Sequence, residues 1–226
     1  MKKLPLLEET SLAVFFALFG VLSFLLLKFF SIEPGIKFFI LTLSFHVFLL
    51  IFSKFLRWFT PYKIWKFLIP LSLLLVFPDW FLSTVLGVLV FPEDGLFKIG
   101  TVSGYMAGLW AIPLFILIYT GIKLEERSVS IFGTCLWIAM LSLLIFGGAE
   151  ACSWMLNSWY AQNVTQVKGI ALYVLIPEMI LGVVSYLAYQ GFSQSHFLVQ
   201  VGIGFLIMIQ YLGSLSFFYL VIERIF

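Results

Sequence analysis

Residues 10–30 read TSLAVFFALFGVLSFLLLKFF, with Lys28 as the only charged side chain in the stretch. A helix needs about 20 mostly apolar residues to cross a hydrocarbon core roughly 30 Å thick. This stretch is therefore predicted to span a membrane. Pro5, Glu8 and Glu9 precede it and no small-residue cleavage site follows it, so we interpret it as a retained helix and not as a removed signal peptide.

Six further apolar stretches meet the same length criterion. They cover residues 35–56, 67–90, 102–122, 129–150, 168–190 and 197–222. The connectors between them hold the turn residues and most of the charges, which favours one compact bundle over two domains. The sequence thus predicts an all-α fold, with residues 1–226 forming a single integral membrane domain of about seven transmembrane helices.

The overall composition supports this fold class and excludes others. Of the 226 residues, 62% are hydrophobic and 11% are charged, against about 45–50% apolar and about 25% charged residues in soluble domains. A net charge of +2 provides no basic field suited to nucleic acid. Cys135 and Cys152 lack a CxxC pattern or a nearby histidine, so neither a disulfide framework nor a metal site is predicted.

The distribution of basic residues predicts an orientation. With the N-terminus in the cytoplasm, that side receives 8 of the 13 lysines and arginines, and the connector at residues 57–66 supplies most of the difference. Cytoplasmic loops carry the excess of positive charge in multi-pass proteins. We therefore expect a cytoplasmic N-terminus and an external C-terminus.

Four predicted helices carry a polar or ionisable side chain near the middle of their apolar span: His46, Asp79, Glu178 and Gln210. A carboxylate at a helix centre costs roughly 2.5–3.5 kcal/mol on insertion scales, so it normally faces the bundle interior and marks a functional site. We expect these four side chains to point into one interior region. Nearby serines and glycines are explained by close helix packing.

Both central carboxylates directly follow a proline, in Pro78-Asp79 and Pro177-Glu178. A proline removes one helical hydrogen bond and can open space beside a buried site. Glu150 ends a long apolar run after Gly147-Gly148 and is a further catalytic candidate, with an interfacial charge as the alternative. Asp79, Glu178 and Glu150 are thus the predicted catalytic residues, whereas Glu93-Asp94 is interpreted as a solvated turn.

Aromatic side chains beside these acids are candidates for binding a substrate. Trp80, Tyr105, Trp110 and Tyr173 each lie near a proline or an acid on a predicted helix, and we group them with His46 and Gln210 as substrate-binding candidates. Their faces suit a developing carbocation or an isoprenoid chain. Core packing is the alternative for each ring. The polar, aromatic segment 150–166 is predicted to lie along the outer interface.

The two proline-acid motifs, with GYMAGLWAIP at 104–113 and GIALY at 169–173, resemble the small polytopic membrane carotenoid cyclases and hydratases. Membrane terpene cyclases of similar length also have seven spans. The resemblance covers residues 65–190. Heterodimer-type lycopene cyclases carry Pro-Glu-Glu, where this chain has Pro-Asp-Trp and Pro-Glu-Met.

The resemblance implies a chemistry. A carboxylic acid kept neutral by its apolar site, Asp79 or Glu178, would protonate an alkene, and aromatic rings would stabilise the cation. No redox cofactor or metal is required. The implied partner is a membrane lipid or isoprenoid small molecule, and a homo- or hetero-oligomer in the membrane is left open.

Two other functions fit the same residues. A transporter or proton-coupled carrier would also place carboxylates beside interrupted helices. A non-catalytic membrane subunit or assembly factor would explain the composition, although not the two central acids. A retinal photoreceptor would require a Schiff-base lysine in the last helix, and residues 197–222 contain none.

Overall fold

The computed structural model describes the backbone of residues 3–225 and the side chains of residues 8–225. Lys2, which contributes to the charge bias, lies outside the described residues. Within that part of the chain, seven helices are long and apolar enough to cross a membrane. The predicted all-α, multi-pass membrane fold is therefore confirmed.

In residues 3–225, the seven spans are built from nine α-helices because two of the spans are interrupted. The helices are α1 Lys3–Phe29, α2 Pro34–Phe55, α3 Phe59–Leu74, α4 Val76–Trp80, α5 Met106–Leu109, α6 Ala111–Glu126, α7 Ile131–Ser153, α8 Leu172–Phe192 and α9 Phe197–Leu220. Single π-helical turns extend the third span over Phe81–Val85 and the last span over Val221–Ile225, and a 3₁₀ turn at Trp154–Leu156 follows α7.

The third span begins and ends earlier than the sequence analysis predicted. It covers Phe59–Val85 instead of 67–90. Pro61 lies in the first helical turn, where a missing backbone N–H costs nothing, so Lys63 and Lys66 belong to a helix and not to a connector. Pro78 cannot donate a hydrogen bond to the preceding turn, and the helix is interrupted at Leu75 as a result.

The interior of the bundle is formed mainly by α3, α6 and α8. Helix α8 packs against α6, α7 and α9, and α3 packs against α6 and α9. Helices α1 and α2 lie at one side, where Phe15 and Phe16 contact Phe45 of α2 and Phe16 also contacts Phe115 of α6. Lys123 of α6 forms an ion pair with Glu9 of α1.

Two connectors form a small β-structured layer over one end of the bundle. We call residues 86–105 and 157–171 the cap, and the bundle end that they cover the capped end. Its three antiparallel ladders pair β1 Leu89–Val90 with β4 Tyr160–Ala161, β2 Lys98–Ile99 with β3 Val102–Ser103, and β5 Gln166–Val167 with β6 Ile170–Ala171. The first ladder joins the two connectors to each other.

The segment 150–166, which the sequence placed along the outer interface, is divided between two structures. Its first part continues helix α7 and the 3₁₀ turn as far as Leu156, and its later part enters the cap through β4.

Asp94 corrects the interpretation of Glu93-Asp94 as a solvated turn. Its side chain is fully buried. The carboxylate accepts hydrogen bonds from the backbone N–H of Leu96 and from the Ser103 hydroxyl, and Lys98 Nζ lies 3.5 Å away. Its backbone oxygen accepts a hydrogen bond from Gly35 N–H at 2.9 Å. Asp94 therefore attaches the cap to the start of α2.

Replacing Gly35 with alanine is expected to destabilise the protein. An added Cβ would lie 2.7 Å from the backbone oxygen of Asp94 and 2.5 Å from its Cγ, and overpacking of this kind costs roughly 1–3 kcal/mol. The measurement is the thermal unfolding midpoint of the purified protein in detergent. Gly20→Ala is the matched control, because nothing lies within 4 Å of its added Cβ. Equal midpoints for the two variants would contradict the close contact.

Candidate functional site

A cavity of about 300 Å³ lies beneath the cap. Its walls come from α2 and from every helix from α4 to α9, and its lining includes Asp79, Glu150 and Glu178. Asp79 and Glu178 are 4% and 5% exposed, and Glu150 is half-buried. The structure therefore brings together the three carboxyl groups that the sequence singled out. We call these three residues the acid cluster.

The three acids lie at one depth in the bundle. Asp79 lies six residues before the end of its span at Val85, Glu150 six residues before Leu156, and Glu178 six residues after Leu172. At 1.5 Å per residue this is about 9 Å below the helix ends. Each acid interacts electrostatically with the other two. The cluster is thus nearer to the capped end than the midplane position that the sequence suggested.

Asp79 is held by an indole. Trp110 Nε1 donates a hydrogen bond to Asp79 Oδ2 at 2.8 Å. Trp110 occupies the break between α5 and α6, where the Ala111 N–H donates to the Ser72 hydroxyl instead of to a helical carbonyl. This break is compatible with Pro113, which contributes no helical N–H in the first turn of α6. The interrupted fourth span therefore positions an N–H group for the carboxylate of Asp79.

Glu150 has a similar partner in the cap. Trp159 Nε1 donates a hydrogen bond to Glu150 Oε1 at 2.8 Å, and the Trp159 ring lies 6.2 Å from that of Phe38. Both aromatic residues line the cavity. The sequence analysis did not single out Trp159 as a site residue. Trp159 lies nine residues after Glu150, and α7 ends between the two, so helical spacing does not predict their contact.

Glu178 differs from the other two acids because its Oε2 atom is buried without a hydrogen-bond partner among the described residues. None of the residues that line the cavity is a lysine, arginine or histidine. An ionised carboxylate without a cation or a donor is costly in such surroundings. The neutral carboxylic acid is the form that this cavity accommodates, and it presents an acidic proton to an apolar space.

Aromatic rings form a large part of the cavity wall. Trp110, Tyr173 and Tyr211 all line it and are nearly fully buried. The Trp110 ring packs edge-on against Tyr211 with centroids 5.7 Å apart. Trp110 and Tyr173 were candidates from the sequence. Tyr211 was not, although its neighbour Gln210 was, and a one-residue step along a helix turns a side chain by about 100°.

His46 lies outside the cavity and has a structural environment. Trp65 Nε1 donates to His46 Nδ1 at 3.0 Å, which makes Nδ1 the acceptor and leaves the proton on Nε2. His46 Nε2 in turn donates to the carbonyl of Gly108 at 3.1 Å. The neutral ring therefore joins α2 to α3 and to the short helix α5. Its two nitrogens are both satisfied.

Three other predicted binding residues also lie outside the cavity lining. The Tyr105 hydroxyl donates to the carbonyl of Ser158 in the cap. Trp80 stacks on Phe77, and Gln210 donates to the Ser214 hydroxyl on its own helix. The expectation of one region shared by all four central polar residues thus holds for Asp79 and Glu178 and is corrected for His46 and Gln210.

The acid cluster does not form a metal-ligand set. Within residues 8–225 no three histidine, cysteine, aspartate or glutamate side chains lie close enough together to hold a metal ion. What the arrangement offers is a proton donor in an apolar, aromatic-walled cavity, with indole N–H groups on the two neighbouring carboxylates.

Comparison with known proteins gives a family. No curated protein and no solved structure matches the chain. A family profile described as Domain of unknown function (DUF6989) matches residues 76–222, which is more than half of the chain. This range contains the whole acid cluster and every residue that lines the cavity except Phe38. The chain therefore belongs to the DUF6989 family.

Proposed function

We propose that this protein is a membrane-embedded enzyme that protonates an alkene of an isoprenoid lipid and so starts a cyclisation or a hydration. The observation that carries this proposal is the buried Glu178 Oε2 atom, which has no hydrogen-bond partner among residues 8–225 and lies in a cavity whose lining contains no basic residue. Such an acid has few stabilising contacts to lose when it donates its proton. It also lies where a long apolar substrate would be accommodated.

Glu178 and Asp79 are suited to different roles because their environments differ. Glu178 is the proton donor. Its O–H bond breaks as a C–H bond forms on one alkene carbon, and the other alkene carbon becomes a cation. Asp79 keeps its negative charge more readily, since the Trp110 N–H stabilises its carboxylate. Two carboxyl groups with different surroundings often divide acid and electrostatic roles in this way.

The carbocation is stabilised by the aromatic wall and then consumed. The faces of Trp110, Tyr173 and Tyr211 attract a cation in a desolvated site, with an energy of about 2 kcal/mol for a well-placed ring. In a cyclisation the cation adds to a second alkene and loses a proton to the Glu178 carboxylate. In a hydration water adds and releases the proton. Both routes restore the acid, and neither changes the oxidation level of the protein.

One observation favours a proton-coupled carrier as a second candidate. The hydroxyls of Thr134, Ser142 and Ser185 are buried without hydrogen-bond partners in the described chain. They lie on α7 and α8 between the acid cluster and the uncapped end, with Ser142 and Ser185 about two helical turns from the acids and Thr134 about two turns further. A column of polar groups leading away from buried carboxylates is a feature of proton pathways. The carrier would change no bond in its substrate.

We also propose that the N-terminus and the uncapped end face the cytoplasm. Lys63 and Lys66 lie in the first turns of α3 at the uncapped end, so they still contribute to the positive charge on that side. The cap and the C-terminus would then be external.

The orientation predicts opposite accessibility for the two chain ends. A protease-cleavable tag at the N-terminus should be protected in sealed, right-side-out vesicles, whereas the same tag at the C-terminus should be removed. Permeabilised vesicles, in which both tags must be cleaved, provide the control. Cleavage of both tags in sealed vesicles would place the two ends on one side and contradict seven crossings.

Amide substitution in the acid cluster should abolish the chemistry. Glu178→Gln preserves shape but removes the proton, so turnover should fall about 10²–10⁴-fold. Asp79→Asn removes the carboxyl group that accepts the Trp110 N–H, and turnover should fall in this variant as well. The measurement is mass spectrometry of neutral lipids from membranes that express each form. Glu93→Gln is the control, because Glu93 lies in the cap outside the cavity lining. Wild-type product from Glu178→Gln would eliminate the mechanism, and proton-coupled flux without a new product would establish the carrier.

Removing the indole N–H from Asp79 should reduce turnover without abolishing it. Trp110→Phe keeps an aromatic face in the wall and loses one charge-assisted hydrogen bond, which contributes roughly 1.5–3 kcal/mol, so product formation should fall about 10–100-fold. Trp80→Phe is the matched control, since Trp80 lies outside the cavity lining. Equal losses in the two variants would show that indoles act only through packing.

A further inference from the structure

The charge of the cavity limits what can bind in it. Three carboxyl groups line it and no basic residue does. Phosphate and diphosphate groups are recognised by arginine, lysine, metal ions or helix N-termini. The first turns of α6 and α8 line this cavity, but the three carboxyl groups beside them repel an anion. An isoprenoid substrate with a phosphorylated head group would therefore bury its negative charges against other acids. A lipid without a phosphate avoids that cost.

The cavity is closed toward the capped end. Leu89 and Ala161, which are partners in the β1–β4 ladder, both line it from the cap and are buried. Phe91 and Ala171 complete this roof and are buried as well. The hydrogen bond from Trp159 to Glu150 attaches the roof to α7. A substrate therefore does not reach the acids by the direct route through the cap.

The cavity is open on one flank, between α6 and α7. These helices meet toward the uncapped end, where Ile138 packs at Gly121. Nearer the cap, the half-buried residues Ile112 and Ile116 of α6 and the exposed residues Ala149 and Cys152 of α7 all line the cavity. Both helices are spans, so this flank lies against the hydrocarbon core and not against water.

The size of the cavity agrees with a substrate that extends out of this opening. A volume of about 300 Å³ lies at the lower end of the range of roughly 300–1,000 Å³ for ligand pockets. One end of a long chain would fill it, with the remainder in the bilayer between α6 and α7. An apolar chain that enters from the hydrocarbon core loses no contact with water, so its entry has no desolvation cost.

We propose that the cavity binds the end of an uncharged long-chain lipid, which enters from the hydrocarbon core between α6 and α7, and that phosphorylated lipids are excluded. The proposal rests on the proposed function for the identity of the chain as an isoprenoid. It adds the head-group class and the route of entry.

A native cysteine at the opening reports on occupancy. Cys152 lines the cavity and is exposed, whereas Cys135 lies on the same helix outside the cavity lining, and both are free thiols. The alkylation rate of each by N-ethylmaleimide is measured by mass spectrometry of the purified protein in nanodiscs. The probes are geranylgeraniol and geranylgeranyl phosphate, which have the same chain and differ in the head group.

Geranylgeraniol should protect Cys152, and geranylgeranyl phosphate should not. At ten times its dissociation constant a ligand leaves about a tenth of the sites open, so the rate at Cys152 should fall about tenfold. The rate at Cys135 should not change. Equal protection by the phosphate would overturn the charge argument, and protection by neither probe would overturn the site.

The route of entry is tested by filling the opening. Ile116→Trp should reduce the protection of Cys152 by geranylgeraniol at least severalfold. Leu144→Trp should leave it unchanged, because Leu144 is an exposed residue of α7 outside the cavity lining. A wild-type rate at Cys135 in each variant verifies the fold, and full protection in Ile116→Trp would overturn entry from this flank.

Failure of this inference is distinguishable from failure of the proposed function. In the Glu178→Gln variant, geranylgeraniol should still protect Cys152 from alkylation, since binding does not need the acidic proton. Protection together with an unchanged lipid product in Glu178→Gln would refute the enzyme and leave the binding site in place. Loss of product in Glu178→Gln, together with protection of Cys152 by geranylgeranyl phosphate, would support the enzyme and refute the exclusion of phosphorylated lipids.

Discussion

Burial of three carboxyl groups without a cation is the constraint on which the architecture around the cavity depends. An ionised acid about 9 Å below the helix ends, at 1.5 Å per residue, must find hydrogen-bond donors within the protein, because lipid provides none. Two of the acids receive such donors from indole side chains that lie in irregular segments of the chain. Trp110 occupies a helix break, and Trp159 lies in the cap. Seven uninterrupted helices joined by short turns would have neither the break at Trp110 nor the cap that contains Trp159.

The same constraint explains why the interruptions lie near one end. The break at Leu75, the π-helical turn at Phe81–Val85 and the break at Trp110 all surround Asp79. Backbone irregularity at membrane depth is tolerated where other groups satisfy the freed N–H and carbonyl groups, as the Ser72 hydroxyl does for Ala111. The opposite half of the bundle contains long regular helices and close contacts such as Ile138 at Gly121.

The features that the sequence predicts well are those encoded in local composition. Hydrophobic runs of about 20 residues predict the spans, and the cost of an intramembrane charge singles out Asp79 and Glu178. The cap carries no such signal. Strands of two residues have no measurable periodicity, and β1 and β4 are separated by about 70 residues of chain. The burial of Asp94 is not predicted, because its carboxylate is enclosed by Ser103 and Lys98 of the β2–β3 ladder and its backbone oxygen bonds to Gly35, and no local pattern connects these residues.

The β1–β4 ladder also constrains the order in which the protein is completed. Leu89 cannot pair with Ala161 until the first five of the described spans have been synthesised. The Glu223 carboxylate, which accepts hydrogen bonds from Thr165, is added only with the final turn of the last span. Asp79 and Glu150 therefore stay without their roof until β4 has been synthesised. A chain truncated before residue 160 would expose buried acids that the complete chain covers.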